Sequence, residues 1–313
     1  MKVVIFGSRG LVGSSLVRIL NTSEKNFTII ESNRSTLDIF NKNNVKEFFE
    51  DTQPDVIINA AAKVGGIYAN NTKRTDFILD NLKINMNLLE CIIPFSDLKV
   101  INLGSSCIYP LESKNPISEE SFMTGLLEPT NSPYAMAKIT AIEIGRSIAS
   151  QYGHKIINLM PTNLYGPNDF FSDMDSHVIP SLIHKIYNAK KNGDDIFHVW
   201  GTGNPLREFM FVDDLSKYIE YIIDKEWDHD LVNVGTGDEI SIKNLAYMIK
   251  TKLNYSGNIE FDKTKPDGNP RKLLNIERLI NTGWNDFTDL DSGLEKTIEW
   301  YLNNLNSSRI ITS

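Results

Sequence analysis

The sequence predicts an α/β fold: a doubly wound parallel sheet covered by helices on both faces, with a smaller α/β lobe toward the carboxyl end. Two observations carry this. Apolar β-type stretches alternate with helix-period segments through the first half of the chain, a rhythm that a parallel sheet between two helical layers accommodates. The first strand-to-helix turn holds Gly7, Gly10 and Gly13. That G-x-x-G-x-x-G spacing suits a turn cradling a dinucleotide pyrophosphate, so the fold class is Rossmann-type.

The elements follow in order. V-V-I-F predicts the first strand and residues 11–20 the first helix. Gly7 suits the tight turn between them, Gly10 lets backbone approach a phosphate, and Gly13 permits close packing of helix on strand. F-T-I-I-E precedes a helix near 44–51, and D-V-I-I-N-A-A-A one near 75–93. K-V-I-N-L-G leads to a long helix near 133–151, followed by K-I-I-N-L-M. After Pro167 the rhythm changes. N-D-F-F-S-D-M-D-S-H, W-G-T-G-N-P-L-R-E-F and K-T-K-P-D-G-N-P-R-K read as binding loops on a second lobe. M-F-V-D-D-L-S-K-Y-I-E-Y-I-I-D predicts a strand and helix that return to the first unit. The expected organisation is a dinucleotide-binding domain over 1–166, with a returning segment near 208–236, and a discontinuous substrate lobe over 167–313.

At 313 residues, 41% hydrophobic and 23% charged, the chain can bury a large core. A formal charge of −8 argues against a nucleic-acid surface, and no apolar run is long enough for a bilayer span. Only Cys91 and Cys107 occur, and the chain opens on a strand rather than a signal peptide. A reducing cytoplasm is expected, with no structural disulfide and no metal.

Tyr134 and Lys138 lie four apart in S-P-Y-A-M-A-K. On a helix they share a face, so the ammonium can favour the ionised phenol, which ordinarily titrates near pH ~10. Pulled toward the working pH, the phenol becomes a proton donor or acceptor for an alcohol/ketone interconversion. Alone, the pair is weak evidence and reads first as a solvated helix face. Behind a glycine loop it fits hydride transfer.

Eight segments, in order, are G-S-R-G-L-V-G, N-A-A-A-K-V-G-G-I-Y-A-N-N, L-G-S-S-C-I-Y-P, L-E-P-T-N-S-P-Y-A-M-A-K, M-P-T-N-L-Y-G-P, S-H-V-I-P, V-W-G-T-G-N-P-L-R-E-F and K-P-D-G-N-P-R-K-L-L. Over nearly the whole chain they resemble the extended short-chain dehydrogenases/reductases of nucleotide sugars, and within these the 3,5-epimerase/4-reductases that act on GDP-4-keto-6-deoxy-D-mannose. The resemblance makes Ser105, Tyr134 and Lys138 a catalytic triad. Tyr134 gives a proton to the C4 oxygen as NADPH delivers hydride to C4, Ser105 holds that oxygen, and Lys138 also contacts the nicotinamide ribose. Cys107 and His177 match the family's two groups for inverting C3 and C5, which requires a base and an acid on opposite ring faces. Thiols and imidazoles exchange protons near neutrality, at about 8.5 and 6.5. Without the resemblance, Ser105 also fits a serine satisfying its own loop, Cys107 a small buried hydrophobe and His177 a polar loop residue.

By the same resemblance, NADP(H) is lined by Gly7, Ser8, Arg9, Gly10, Leu11, Val12, Gly13, Arg34, Ala61, Ala62, Leu103, Gly104, Tyr134, Lys138, Pro161, Asn163, Leu164 and His177. Arg9 and Arg34 fall where the family binds the 2′-phosphate, whereas Glu31 could hold the ribose hydroxyls of NAD. Two arginines, the better phosphate ligands, favour NADP. The GDP-sugar is expected against Ser105, Ser106, Cys107, Asn163, Lys185, Trp200, Arg207, Lys265 and Asp267, with Arg271 and Lys272 as further cations for its phosphates. Arg207 also fits a surface cation paired with Glu208, and Trp200 a core tryptophan. Lys185 departs from the family's frequent arginine.

Two alternatives stay open: the same chemistry, or C4 reduction only, on a 6-deoxyheptose or 3,6-dideoxy GDP-4-keto sugar, and a catalytically silent dinucleotide-binding regulator. The family is typically homodimeric through the helices near 75–93 and 133–151. Ile139, Ile142 and Ile144 fit such an interface or packing on the sheet.

Overall fold

The structure is a computed structural model and describes residues 1–173, 175–265 and 267–311. The strands are β1 (Lys2–Phe6), β2 (Thr28–Ser32), β3 (Val56–Asn59), β4 (Lys99–Leu103), β5 (Lys155–Pro161), β6 (Asn163–Tyr165), β7 (Ile196–Trp200), β8 (Leu206–Arg207), β9 (Phe209–Phe211), β10 (Leu231–Val234), β11 (Ile240–Ser241), β12 (Asn258–Asp262) and β13 (Arg271–Lys272). The helices are α1 (Leu11–Asn21), α2 (Lys42–Thr52), α3 (Ile67–Thr72), α4 (Arg74–Ile92), α5 (Ser132–Tyr152), α6 (Val178–Asn192), α7 (Val212–Ile222), α8 (Ile242–Lys252), α9 (Glu277–Asn281) and α10 (Leu290–Asn303).

Six strands form one parallel sheet in the order β10-β5-β4-β3-β1-β2. Successive side chains of β1 feed the two faces. Val3 and Ile5 pack with Leu16 and Leu20 of α1 and Leu215 and Ile219 of α7. Val4 and Phe6 pack with Val45 and Phe49 of α2, Leu88 of α4 and Ile148 of α5. Burial on both faces is why these strands are almost wholly apolar. The strand order reverses between β1 and β3, and the carboxyl ends there open the crevice in which such sheets bind ligands.

The exceptions to that apolar pattern lie in register. Asn59 pairs with Asn102, and Asn102 with Asn158. The Asn59 amide donates to Asn85 and Asn102, Asn102 donates to Asn158, and Asn158 to the Asp230 carbonyl, at 2.9–3.1 Å. A one-residue slip would break every link of this buried chain, so it fixes the register that hydrophobicity alone leaves loose.

The segment near 208–236 holds a strand, a helix and a second strand. β9, its predicted strand, pairs with β6 in a separate ribbon, while the main sheet gains β10 beside β5. α7 packs on α1 through Ser216, Ser15 and Asp213. A second core gathers α6, α8 and α10 around β7, β9 and β12. Ile139 and Ile142 are buried within the chain's own core and Ile144 packs against it, leaving Leu79, Met86 and Met136 exposed on α4 and α5. Among the described residues, no helix is long and apolar enough to cross a membrane.

Candidate active site

The glycine loop is built for close approach. Gly7 adopts φ +78°, and the N–H groups of Gly7 and Ser8 donate to the Ser32 carbonyl at 2.9 and 3.1 Å. A Cβ on Gly13 would stand 2.1 Å from the Gly7 carbonyl oxygen, so only glycine fits there. α1 begins at Gly10 with no side-chain cap, leaving its first N–H groups for an anion. These features fit a dinucleotide pyrophosphate.

Leu11 and Val12 open α1, and Ala61 stands against Gly7 with Ala62 half-buried behind it. Gly104 follows β4 and donates to the Leu159 carbonyl at 2.8 Å, Pro161 ends β5, and Leu164 packs on the core. The Asn163 amide is spent on the Glu208 carbonyl at 2.8 Å. Arg9, Glu31 and Arg34 are exposed. A cavity of about 440 Å³ beside Arg9 is lined also by Ser8, Ser14, Glu31, Asn168 and Arg309. Asn168 Nδ2 at 3.0 Å and the Arg309 guanidinium both donate to the Arg9 carbonyl. Their distance along the chain hid them from motif reading.

Ser105, Cys107, Tyr134 and Lys138 meet beside this loop. Ser105 caps the short turn Ser106–Ile108, its Oγ accepting from the Cys107 N–H at 3.2 Å, and its hydroxyl stands close enough to the Tyr134 phenol to favour the ionised form. Phe77 holds the Tyr134 ring edge-on, with centroids 6.3 Å apart. The Cys107 thiol faces two donors, Asn131 Nδ2 at 3.5 Å and Lys272 Nζ at 3.8 Å. Lys272 therefore stands at the sulfur rather than free for a phosphate, a placement that no spacing rule indicates.

The expectation that Lys138 lowers the Tyr134 pKa is corrected. Burial, reinforced by nearby Cys107, pushes the phenol well above its usual range, and Ser105 only partly opposes this. Lys138 Nζ lies 5.8 Å from the Tyr134 ring centroid and donates instead to the Leu103 carbonyl at 2.7 Å. Burial lowers Lys138 itself to about 8. The surrounding protein penalises charge on both groups.

Lys138 binds its proton less tightly folded, at about 8, than at the ordinary 10.5, so between these values the unfolded chain holds more protons and stability rises with pH. The burial penalty, on the order of 3 kcal/mol, is fully present below pH 8. Wild type should therefore gain on Lys138→Met in urea unfolding as pH goes from 7 to 10. A constant difference between the two would refute this.

His177 comes from the other lobe, capping α6. The residue is exposed to solvent, yet the protein mass around the ring pushes its pKa below the ordinary imidazole value. On that lobe, exposed Trp200 lies between Lys185 and Lys265, whose Nζ atoms are 5.6 and 5.5 Å from its ring centroid. It is not a core tryptophan. Burial lowers both Lys185 and Arg207 in pKa, while Asp173 and Asp267 respectively oppose this. Arg207 does not pair with Glu208, whose buried carboxylate accepts from the N–H groups of Thr236, Gly237 and Leu274. Asp267 holds Thr202, and Arg271 is committed to Glu239 at 2.8 Å. Ser106 is buried behind Cys107. A further cavity of about 710 Å³ lies at the opposite edge of the sheet, where Arg146, Lys155 and Arg278 are each tied to carboxylates.

A glycine cradle at the switch point of a parallel sheet, with serine, tyrosine and lysine gathered beside it, defines a dinucleotide-dependent α/β enzyme. Residues 3–235 match the model of the NAD dependent epimerase/dehydratase family, and the chain belongs to that family. GDP-L-fucose synthase 1 of Arabidopsis thaliana is 44% identical over 97% of this chain and 94% of its own length. GDP-L-fucose synthase of Escherichia coli K12 is 41% identical, with 97% of each chain covered. The crystal structure of a GDP-L-fucose synthetase from Naegleria fowleri bound to NADP is similar at a TM-score of 0.91 and 28% identity, over 98% of this chain and 96% of that one.

Proposed function

We propose that the chain is an NADP(H)-dependent 3,5-epimerase/4-reductase that converts GDP-4-keto-6-deoxy-D-mannose to GDP-L-fucose. The observation that carries the reading is the meeting of a thiol, a serine, a tyrosine and a buried lysine at one crevice beside the glycine cradle. When bound, NADPH supplies the hydride for C4. Arg9 and Arg34 would hold its 2′-phosphate, and Lys138 its nicotinamide ribose.

The ketone acidifies the hydrogens on C3 and C5. Cys107 and His177 remove and return these protons from opposite ring faces, with Asn131 and Lys272 facing the sulfur where negative charge develops. Ser105 donates to the C4 oxygen, and Tyr134, protonated at neutral pH, gives that oxygen its proton. Trp200 with Lys185, Lys265 and Arg207 receives the GDP moiety, and Asp267 orders the Thr202 turn beside it.

We assign cofactor binding to residues 1–166 with the segment near 208–236, and sugar-nucleotide binding to the rest of 167–313. A cytoplasmic homodimer through α4 and α5 fits the exposed Leu79, Met86 and Met136. The test is NADPH oxidation with a panel of GDP-4-keto sugars, followed by NMR of the product. GDP-L-fucose from GDP-4-keto-6-deoxy-D-mannose, with NADPH preferred over NADH, is expected. Turnover confined to a heptose or dideoxy substrate would reassign the sugar, and no turnover with any would leave a silent dinucleotide-binding protein.

A further inference from the structure

The K-V-G-G stretch after β3 takes no part in the chemistry above, yet it is built with care. Buried Asn81 of α4 accepts from the Lys63 N–H and donates to the Lys63 carbonyl, both at 3.0 Å. Buried Asn70 of α3 donates to the carbonyls of Gly65 at 2.7 Å and Gly66 at 3.1 Å. Lys63 Nζ lies 2.7 Å from Asp80 and 3.5 Å from Asp76. Lys63, Gly65 and Gly66 are thus each held by a buried amide from α3 or α4, and buried hydrogen bonds of this kind rigidify.

The outer surface of the clamped loop meets the segment leading into His177. The Gly66 N–H donates to the Asp175 carbonyl at 2.8 Å, and a Cβ on Gly66 would stand 2.5 Å from the Ser176 carbonyl oxygen. Gly66 has φ −67° and ψ −178°, a conformation open to any residue, so the close approach and not the backbone angle demands glycine. Downstream, the His177 carbonyl accepts from the Ser181 N–H at 3.0 Å as α6 begins. The His177 backbone is therefore fixed between a helix start and a stiff loop from the other lobe. Cys107 is held by a separate set, Ser105, Asn131 and Lys272.

We propose that Gly66, backed by Asn70 and Asn81, is a positioning residue for His177, setting where the imidazole stands over the sugar ring. This rests on the reading of His177 as a proton-exchanging group. An added Cβ displaces Ser176 and with it His177, while the hydride-transfer groups stay in place.

The experiment compares wild type, Gly66→Ala, Asn70→Ala and His177→Asn for solvent deuterium incorporated at the sugar ring per hydride delivered, with Tm and NADPH affinity by fluorescence titration. Misplacement by about 1 Å costs on the order of 100-fold in such steps. The Gly66→Ala ratio should fall about 10- to 100-fold, with Tm within a few degrees and NADPH affinity within about twofold of wild type. Asn70→Ala should fall less, in the same direction, and decides the matter if Gly66→Ala does not fold. An unchanged ratio, or parallel loss of exchange and hydride transfer, overturns the proposal. A wild-type ratio in His177→Asn instead overturns the role of His177 itself.

Discussion

Cys107→Ser is expected to stop solvent deuterium from entering the sugar ring while cofactor affinity stays near the wild-type value. The substitution is nearly isosteric and the position is only half-buried, so the fold should tolerate it. The chemistry should not. A hydroxyl releases its proton far less readily than a thiol, and a positioned acid or base is worth about 10²–10⁴-fold in proton transfer. The shorter Cβ–O bond also draws the atom back from Asn131 and Lys272, which meet sulfur at 3.5 and 3.8 Å. Deuterium at C3 and C5, read by NMR after incubation in D₂O, decides the case. Uptake at the wild-type rate would remove Cys107 from the mechanism, and continued NADPH oxidation without uptake would mark a reductase deprived of its epimerase step.

What the sequence disclosed about fold and site was what depends on neighbours along the chain. The glycine turn, the alternation of strand and helix, and the four-residue spacing of Tyr134 and Lys138 are local, and the predicted helices near 44–51, 75–93 and 133–151 match α2, α4 and α5 within two residues. The short α3 went unseen because six residues carry too little periodicity. The strand within the returning segment is legible as a strand, but an apolar triplet such as β9 does not name its partner, which is β6.

Contacts across the chain were hidden altogether. Lys272 beside Cys107 and Arg309 beside Arg9 join residues 165 and 300 positions apart. The proton affinity of Tyr134 was misjudged for a related reason. Spacing placed a cation on the same helix face, but only the packed structure reveals that protein mass surrounds both groups and that the ammonium donates to a carbonyl.

That correction shapes the second large effect. Tyr134→Phe should lower C4 hydride transfer about 10²–10⁴-fold while leaving ring deuterium exchange intact, because exchange uses Cys107 and His177 and reduction uses the phenol. Reduction of a ketone needs an acid at the oxygen, and a phenol whose pKa is raised by burial stays protonated through the neutral range and can serve as that acid. The pH profile carries the sign. Tyr134 itself gives no loss of reduction as pH rises through neutrality, and a decline should begin only near 8, where Lys138 gives up its proton. The phenylalanine variant removes only the hydroxyl and keeps the ring packed on Phe77, so a stable fold with lost reduction separates chemistry from structure. Single-turnover oxidation of NADPH, measured beside deuterium uptake in the same sample, distinguishes the two steps. Wild-type reduction by the variant would mean that another donor protonates the C4 oxygen, with Ser105, beside the phenol, the next group to replace.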